Sequence, residues 1–363
     1  MDKIERLSRW AEGGSAGPVT IELNPTNRCN LKCRSCWLRE HEPEPAELDR
    51  GRIASVISEA SRLGVKEIRI PGSGEPLLSE GIREAIGQIK SEGMHGLLIT
   101  NGTLLDSAIP LLVDSKWDVV TVSIDGPDPE VNDYLRGRDG TFNKIIRNIE
   151  ALNQLKKETG ARLPVLRINT VISNRNYNRI AEMAELANRL KCSDIQFQPM
   201  TVWGREGREL ELSPDERSLL PRHIKKAAEI AEKHGTYTNV LSFLDGQIVE
   251  NASESMDELI KKKGSCEKNP FLNAPCFEPW YNMIILPDGS VGPCSMSGGH
   301  GGDNLNGRSL RDIWDGRAFG TIRKRLLAGD LPHYCRQCCA VVHVENERIK
   351  HQLIAKTRRS SLH

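Results

Sequence analysis

Short apolar segments rich in β-branched residues alternate with longer segments of helical period through the N-terminal half of the chain. This alternation predicts a βα repeat with parallel strands and right-handed crossovers. Because a complete barrel of this type needs eight strands and only six are visible, we predict an α/β fold that forms part of a barrel. The predicted strands are residues 19–25, 66–71, 96–100, 119–124, 165–171 and 194–199.

Helical segments separate these strands, and several of them end at glycine, a common C-terminal stop. After Met200 the pattern changes, and residues 203–211 predict an irregular link. Ser213 followed by Pro214 predicts the N-cap and first turn of a helix that runs to His234. The earlier predicted helices are residues 52–63, 80–91, 142–158 and 178–190.

A second, smaller module is predicted beyond this helix. Two short apolar segments, residues 281–286 and 290–294, flank Pro287-Asp288-Gly289, which is a strong hairpin signal. A glycine-rich segment after the hairpin predicts a flexible loop, and two short helices are predicted beyond it, at residues 310–314 and 318–328. The predicted organisation is an N-terminal extension at 1–18, a βα domain at 19–235, a small domain at 236–345 and a tail at 346–363.

Charge and hydropathy exclude two classes of partner. The chain has 50 Lys and Arg against 49 Asp and Glu, a balance that argues against a surface built to neutralise a phosphate backbone. No apolar run approaches the roughly 20 residues that cross a bilayer, and residues 1–10 lack the apolar core of a signal peptide. We therefore expect no nucleic-acid partner, no membrane partner and a cytoplasmic location.

The cysteines are grouped, and in a reducing compartment grouped cysteines indicate metal or redox sites rather than disulfides. Cys29, Cys33 and Cys36 lie directly after the first predicted strand. Three thiolates leave one iron of a four-iron cluster open to another ligand. The alternative is a structural zinc site with a fourth ligand elsewhere, for instance His41, although zinc sites more often pair cysteines as two CxxC units.

A glycine-rich segment, Pro71-Gly72-Ser73-Gly74-Glu75-Pro76, follows the second predicted strand. Glycines allow a ligand to approach the backbone closely, and a carboxylate at Glu75 suits an ammonium group. Alone the segment is compatible with a plain turn. One βα unit after the cysteine triplet, it predicts a binding rim at the C-terminal ends of the strands.

Together these two motifs resemble the signature of the radical S-adenosylmethionine (SAM) superfamily, CxxxCxxC after the first strand and a Gly-Gly-Glu-Pro-like segment after the second. The resemblance implies a partial (β/α)6 TIM-like barrel in which Cys29, Cys33 and Cys36 ligate a [4Fe–4S] cluster. The amine and carboxylate of SAM then chelate the open iron, and one electron cleaves SAM to methionine and a 5′-deoxyadenosyl radical. A reducing partner such as flavodoxin or ferredoxin is implied as the source of that electron.

The resemblance also implies a set of SAM contacts, with loop capping, barrel packing or surface exposure as the alternative role of the less specific ones. One departure concerns the adenine: Ser35 stands where the family has an aromatic residue, and Trp37 is the candidate to replace it. The implied contacts are Gly72, Gly74 and Glu75 at the methionyl end, Ser123, Asp125 and Asn169 at the ribose or carboxylate, Arg136 or Arg138 at the carboxylate, and Gln198 near the adenine.

The second cysteine group resembles the SPASM/twitch subgroup of the same superfamily. Cys276 and Cys294 lie on either side of the predicted hairpin, and Cys335, Cys338 and Cys339 follow near the C-terminus. A full SPASM module needs seven or more cysteines for two auxiliary clusters, so these five imply a single auxiliary [4Fe–4S] cluster. We assign Cys276, Cys294, Cys335 and Cys338 as its ligands, with Cys339 as the competitor for the last place. A zinc ribbon remains the alternative.

An added, fully ligated cluster is best explained as an electron acceptor or relay for a substrate radical. Similar single-cluster relatives dehydrogenate or epimerise aminocyclitols and sugars, so we expect a small-molecule substrate of that kind and an oxidoreductase or epimerase activity. An epimerase needs a hydrogen donor, for which Cys266 and Cys339 are the catalytic candidates, whereas Cys192 is expected to be a buried structural thiol.

The alternative function is modification of a ribosomal precursor peptide by crosslinking or residue modification. Such enzymes commonly carry an N-terminal peptide-recognition domain and two auxiliary clusters. The eighteen residues before the first predicted strand are too few for that domain. We therefore favour a small-molecule substrate over a precursor peptide and keep the peptide as the alternative. An iron–sulfur electron carrier would leave the glycine-rich Glu75 segment unexplained.

Overall fold

The computed structural model describes residues 2–41, 43–202, 204–244, 269–297, 302–338 and 340–360. The chain forms two compact units, each assembled from separate stretches of sequence. The first unit contains Met1–Leu23, Gly51–Arg69 and Ala252–His363, and the second contains Asn24–Arg50 and Ile70–Asn251. The domain boundaries proposed from the sequence stay a prediction.

Strands and helices alternate along the described residues as the apolar pattern predicts. The strands are β1 (Thr20–Leu23), β2 (Glu67–Ile70), β3 (His95–Thr100), β4 (Val119–Ser123), β5 (Val165–Val171), β6 (Asp194–Gln198), β7 (Tyr237–Thr238), β8 (Asn282–Ile285), β9 (Ser290–Gly292) and β10 (Asp303–Asn304). The α-helices are α1 (Lys3–Ala11), α2 (Trp37–His41), α3 (Arg50–Arg62), α4 (Ile82–Ser91), α5 (Ile109–Asp114), α6 (Pro129–Arg136), α7 (Thr141–Thr159), α8 (Ile180–Arg189), α9 (Gly204–Arg208), α10 (Pro214–His234), α11 (Leu310–Trp314), α12 (Arg317–Leu327) and α13 (Ala340–Ser360).

The second unit is built on a parallel sheet in the order β3-β4-β5-β6-β7. Apolar residues fill the strands, with Val120, Ile168 and Ile195 fully buried on three of them. Alternate residues of β5 are buried and half-buried, and the half-buried face carries Arg167 and Asn169. Parallel strands place their C-terminal ends at one edge, so the polar residues that end them are gathered there.

In the first unit β1 pairs in parallel with both β2 and β8, and β8 continues through the antiparallel β9 to β10. The predicted hairpin is present between β8 and β9, with Gly289 at a φ of 81°. An apolar cluster that includes Leu7 of α1, Trp280 and Leu353 of α13 forms the core beside it. Helices α1 and α13 therefore share an apolar core with the segment that leads into β8.

Several elements differ from the sequence prediction. Residues 204–208 form the short helix α9 where we predicted an irregular link. Helix α1 was not predicted, although Asp2 and Glu5 form a capping box at its start. Helix α13 extends through most of the predicted tail. Ser213 caps α10 as predicted, and its side chain accepts a hydrogen bond from the N–H of Glu216.

None of the helices in the described ranges combines the length and the apolar character that a membrane crossing requires.

Gly96 on β3 should tolerate no side chain. A Cβ atom there would lie 2.4 Å from the ring of Trp117, which is fully buried. Gly96→Ala should therefore lower the free energy of unfolding by about 1–3 kcal/mol through overpacking. The matched control is Gly87→Ala within α4, where no atom lies within 4 Å of the added Cβ. This control should raise the free energy of unfolding by about 0.5–1 kcal/mol. Urea denaturation distinguishes the two, and equal effects would contradict the packing argument.

Candidate functional site

The cysteine loop and the glycine-rich loop are joined through their backbones in the second unit. The N–H of Gly74 donates to the carbonyl of Thr26 at 3.0 Å, and the N–H of Glu75 donates to the carbonyl of Arg28 at 2.8 Å. The Thr26 hydroxyl accepts from the N–H of Arg28 at 3.1 Å, which shapes the approach to Cys29. The structure thus brings together the two segments that the sequence placed at one rim.

Close backbone contact explains both glycines. A Cβ on Gly74 would lie 2.2 Å from the carbonyl oxygen of Arg28, so a side chain there would push the two loops apart. Gly72 has a φ of 74°, and a Cβ on it would lie 2.6 Å from the carbonyl oxygen of Gly74. Both positions therefore require glycine for the loop geometry, while the SAM contact proposed for them stays a prediction.

Glu75 is almost completely buried and bonded within the protein. Its Oε1 accepts from the hydroxyl of Thr100 at 2.7 Å and from the N–H of Leu77 at 3.1 Å, and its Oε2 accepts from the N–H of Asn101 at 2.7 Å. Burial raises the pKa of Glu75, and these three donors oppose the rise. The carboxylate ties the glycine-rich loop to the end of β3. Its predicted contact with the SAM ammonium remains a prediction.

Two asparagines that were not predicted as site residues contact each other here, Asn30 within the cysteine loop and Asn101 beside it. The side-chain amide of Asn101 donates to the Oδ1 of Asn30 at 2.9 Å and lies 3.9 Å from the Sγ of Cys29. The N–H of Leu31 donates to the same sulfur at 3.5 Å. Donors to cysteine sulfur are among the groups that set the potential of an iron–sulfur cluster. A polar residue at the C-terminal end of β3 was the available signal.

Arg136 connects the cysteine loop to the end of β4. Its Nη2 lies 2.8 Å from a carboxylate oxygen of Asp125, and its Nη1 lies 3.9 Å from the Sγ of Cys33. Burial opposes the charge of Arg136, but Asp125 and Cys33 outweigh it and the pKa of Arg136 is raised. Its Nε is buried without a hydrogen-bond partner. An orphaned guanidinium N–H beside Cys33 fits an anionic ligand such as the carboxylate of SAM.

The other predicted contacts occupy different positions at this edge. Asp125 is buried and bonded inward, since its Oδ1 accepts from the N–H of Val171 at 2.9 Å. Ser123 and Asn169 are paired neighbours on β4 and β5, whereas Gln198 is paired with Val171. All three are half-buried. Arg138 is exposed, and its Nη1 donates to the carbonyl of Asn30 at 3.0 Å.

The three N-terminal thiols fit a set of metal ligands. Desolvation raises the pKa of Cys29 to about 11, and Cys33, Glu75 and Cys36 add to the rise. Burial also raises the pKa of Cys36, while Arg136 and Arg39 lower it. Groups that shift each other's pKa lie close together, and metal binding replaces their protons.

Two further sequence predictions concern a zinc site in place of the cluster and an adenine contact at Trp37. No three His, Cys, Asp or Glu side chains of the described residues converge as the ligands of a single ion would. His41, the proposed fourth zinc ligand, lies in α2 with its ring centroid 6.3 Å from that of Trp37. Trp37 is half-buried, and its proposed adenine contact stays a prediction.

A second group of thiols gathers in the first unit around Cys276. Burial raises the pKa of Cys276 well above its usual value, and Glu278, Cys294 and Cys338 contribute. The pKa of Cys294 is raised to about 12, first by burial, with Glu278 and Cys335 adding to it. Similar turns follow Cys294 and Cys335. The N–H of Ser297 donates to the carbonyl of Cys294, and the N–H of Cys338 donates to the carbonyl of Cys335. The four predicted auxiliary ligands are thus electrostatic neighbours.

Two further residues of α13 and the hairpin region support this second group. The amide of Asn346 lies 3.8 Å from the Sγ of Cys276, and its Oδ1 accepts from the N–H of Phe277 at 2.7 Å. Asn346 has no signal in the sequence, because its position depends on how a distant helix packs. Glu278 accepts a hydrogen bond from the hydroxyl of Tyr281.

Three cysteines are not among the predicted cluster ligands: Cys192, Cys266 and Cys339. Cys192 is buried ahead of β6, as expected of a structural thiol. Cys266 and Cys339, the candidate hydrogen donors, lie outside the described residues. The cysteines that the structure describes are all free thiols.

Comparison with known proteins settles the family. The Radical SAM superfamily model matches residues 23–187, which contain the cysteine triplet, the glycine-rich loop and Arg136. The iron–sulfur cluster-binding domain called SPASM matches residues 276–339, which contain the second cysteine group. This chain belongs to the radical SAM superfamily.

The relatives of this radical SAM protein carry names that indicate different activities. The PqqA peptide cyclase of Xanthomonas campestris pv. campestris is 26% identical over 341 residues, covering 88% of this chain and 79% of that protein. The AdoMet-dependent heme synthase of Methanosarcina barkeri is 33% identical over 199 residues, covering 54% of this chain and 55% of that protein. The crystal structure of Streptococcus suis SuiB bound to precursor peptide SuiA has a TM-score of 0.63 and 20% identity, covering 85% of this chain and 67% of that one.

These comparisons confirm the predicted fold class, an α/β partial barrel followed by an auxiliary-cluster domain. They also establish the cofactors. A radical SAM domain binds SAM at a [4Fe–4S] cluster, and a SPASM domain holds an auxiliary iron–sulfur cluster. The assignment of individual ligands and contacts to these groups stays a prediction.

Removing the Glu75 carboxylate should destabilise the fold around the site while every cysteine is kept. Glu75→Ala leaves the Thr100 hydroxyl and the Asn101 N–H buried without an acceptor. Each orphaned donor costs about 1–3 kcal/mol, so the free energy of unfolding should fall by that order. Glu80→Ala, at an exposed glutamate of the same loop region, is the control and should have little effect. Urea denaturation of the anaerobically purified protein makes the comparison.

Glu22 on β1 should make stability depend on pH. Its pKa is raised from 4.5 to about 7, mainly by burial and then by Glu278, while Arg69 opposes the rise. The folded chain therefore keeps a proton that the unfolded chain releases, and the free energy of unfolding should fall as pH rises through this interval. Glu22→Gln should reduce that fall by up to about 3 kcal/mol.

The Glu22 measurement is urea denaturation on both sides of the interval, at about pH 5 and about pH 8. Glu12→Gln, at an exposed residue just after α1, is the matched control and should keep the dependence of the original chain. A Glu22→Gln protein with an unchanged pH dependence would contradict the assignment.

Proposed function

We propose that this radical SAM protein modifies a residue of a precursor peptide. The observation that carries the proposal is the similarity to the PqqA peptide cyclase, which extends over 88% of this chain. The SuiB structure with a bound precursor peptide supports the same substrate class on the same fold. Our first expectation, redox chemistry on a sugar or aminocyclitol, has less support from these relatives.

The residues of the barrel supply binding and orientation in this proposal. The three-cysteine cluster, when bound, supplies one-electron cleavage of SAM and thereby a carbon radical that removes hydrogen from the substrate. Arg136 offers its unpartnered Nε to the SAM carboxylate while Asp125 holds the guanidinium in place. Asn101 donates toward the Sγ of Cys29 and fixes that side of the cysteine loop.

The residues of the first unit supply a second redox site and a proton site. The proposed ligands of a single auxiliary cluster are Cys276, Cys294, Cys335 and Cys338. That cluster, when bound, would accept an electron removed from the substrate. Glu22, with a pKa of about 7, can accept or release a proton at its carboxylate near neutral pH. Oxidative crosslinking requires the loss of both an electron and a proton from the substrate radical.

The test is co-expression of the enzyme with the short open reading frames that neighbour its gene, followed by mass spectrometry of each purified peptide. One peptide should lose the mass of two hydrogen atoms per crosslink and show the linked residues by fragmentation. Cys33→Ala should leave that peptide unmodified, because the cysteine loop then lacks a ligand. The purified enzyme should contain about eight iron atoms if each cysteine group holds a four-iron cluster.

The competing result is equally specific. If no peptide changes mass while an aminocyclitol, a sugar or a porphyrin stimulates formation of 5′-deoxyadenosine and is itself altered, the peptide proposal is wrong. A carbonyl product would then indicate a dehydrogenase, and deuterium uptake from heavy water without net redox change would indicate an epimerase.

A further inference from the structure

Glu22 of β1 and Glu278 are carboxylates of the first unit with few hydrogen-bond donors around them. Glu22 accepts from the side-chain amide of Asn282 at 3.5 Å, which is longer than the usual range of about 2.7–3.2 Å. Glu278 accepts from the hydroxyl of Tyr281. Burial raises the pKa of Glu278, and hydrogen bonds from Tyr281 and Asn282 lower it. The Asn282 amide therefore contacts both carboxylates.

The charges grouped around this pair do not balance. Arg69 pairs with Glu67, whereas Lys3 and Arg348 both pair with Glu345. Within the described part of the chain, no ion pair is left for the two carboxylates bonded to Asn282. Four carboxylates face three cations, an excess of one negative charge. The carboxylates are Glu22, Glu67, Glu278 and Glu345, and the cations are Lys3, Arg69 and Arg348.

Asn282 supplies an independent sign of a missing ligand. The residue is 2% exposed, and its Oδ1 is buried without a hydrogen-bond donor. A buried amide carbonyl that lacks a donor costs free energy until a donor reaches it. The group is open to solvent at one side, because the side chains of Arg69 and Glu67 are 41% and 23% exposed. Two carboxylates and a carbonyl thus lie together with too few donors.

We propose that Glu22, Glu278 and Asn282 bind a primary ammonium group of the substrate. An ammonium brings one positive charge and three N–H donors, which match one excess negative charge and acceptors on three separate side chains. A guanidinium is a planar fork that suits a single carboxylate, so it fits this arrangement less well. A metal ion needs ligands that converge more closely, and no three His, Cys, Asp or Glu side chains do so among the residues that the structure describes.

The position of this ammonium site agrees with the proposed function. After burial, Glu278 is the group that most raises the pKa of Cys276 and of Cys294, so the site lies beside the second cysteine group. A substrate held there by its amine is placed next to the thiols proposed to hold the auxiliary cluster. For a peptide the inference rests on the proposed function and requires a lysine in the precursor. The amine of an aminocyclitol has the same chemistry.

The first test is isothermal titration calorimetry of the anaerobic, cluster-containing enzyme. SAM is left out because it carries an ammonium of its own. The probe is Nα-acetyl-lysine methylamide, and its neutral counterpart carries a second acetyl group on Nε. The lysine probe should bind, and the neutral probe should bind at least about tenfold more weakly because it lacks the charge. Equal affinities would overturn the proposal.

The same titrations report the protonation of Glu22. Burial and then Glu278 raise the pKa of Glu22 to about 7, so much of this carboxyl is protonated at about pH 6.5 and a bound ammonium displaces the proton. Buffers of different ionisation enthalpy should therefore reveal proton release at about pH 6.5 and little at about pH 8.5. Glu22→Gln should reduce that release and weaken binding at least about tenfold at about pH 8.5. Release that is unchanged in Glu22→Gln would contradict the site.

Two further variants separate the site from net charge and from folding. Glu12→Gln, at an exposed residue just after α1, is the matched control and should bind the lysine probe as the original chain does. Asn282→Leu removes an acceptor without changing the charge and should weaken the lysine probe. Equal weakening by Glu12→Gln and Glu22→Gln would overturn the assignment. The comparison of the two probes on the original chain needs no variant, so it decides the question even where a substitution prevents folding.

Glucosamine and glucose form a second pair of probes, which separates the two sources of the amine. Binding of the lysine probe without glucosamine supports a lysine side chain as the ligand. Binding of glucosamine without the lysine probe supports the ammonium site and counts against the peptide substrate. Binding of neither overturns the site. If the lysine probe binds as expected while co-expressed peptides stay unmodified, the proposed reaction fails and the ammonium site stands.

Discussion

The backbone pairing between the cysteine loop and the glycine-rich loop is the contact on which the rest of the site depends. Three thiols in eight residues can hold a metal centre only if the loop that carries them is fixed in one conformation. The carbonyls of Thr26 and Arg28 receive the N–H groups of Gly74 and Glu75, which fixes it. Because a Cβ on Gly74 would occupy the place of the Arg28 carbonyl, the pairing in turn requires glycine.

Glu75 extends this constraint to the next strand. Its buried carboxylate accepts from Thr100 and from the N–H of Asn101, so the end of β3 is held in register with the two loops. Asn101 then directs its amide toward Cys29 and Asn30. A side chain that the family resemblance assigns to the cofactor thus also organises the loop around it, and a carboxylate has more lone pairs than these three donors use.

The sequence predicted the parts of this arrangement that have a periodic or motif signal. Residues 165–171 were predicted as a strand and form β5 with the same bounds, because their alternation is regular. The two loops were predicted to share a rim. The pairing of β1 with β8 had no such signal, since it joins Thr20 to Asn282 through the fold alone. The position of Asn346 had no signal for the same reason, and two of the three Glu75 partners had none because backbone N–H donors carry no sequence signature.

The two cysteine groups differ in their electrostatic surroundings, and this difference bears on how each holds a metal. Arg136 and Arg39 lower the pKa of Cys36 and so favour its thiolate against the cost of burial. At the second group Glu278 raises the pKa of both Cys276 and Cys294, which adds to that cost. Burial raises the pKa of all three thiols, but the nearby guanidinium groups favour the Cys36 thiolate, whereas the Glu278 carboxylate disfavours the thiolates of Cys276 and Cys294. A cationic first site and an acidic second site are suited to different redox tasks, because the charge around the sulfurs helps to set a cluster's potential.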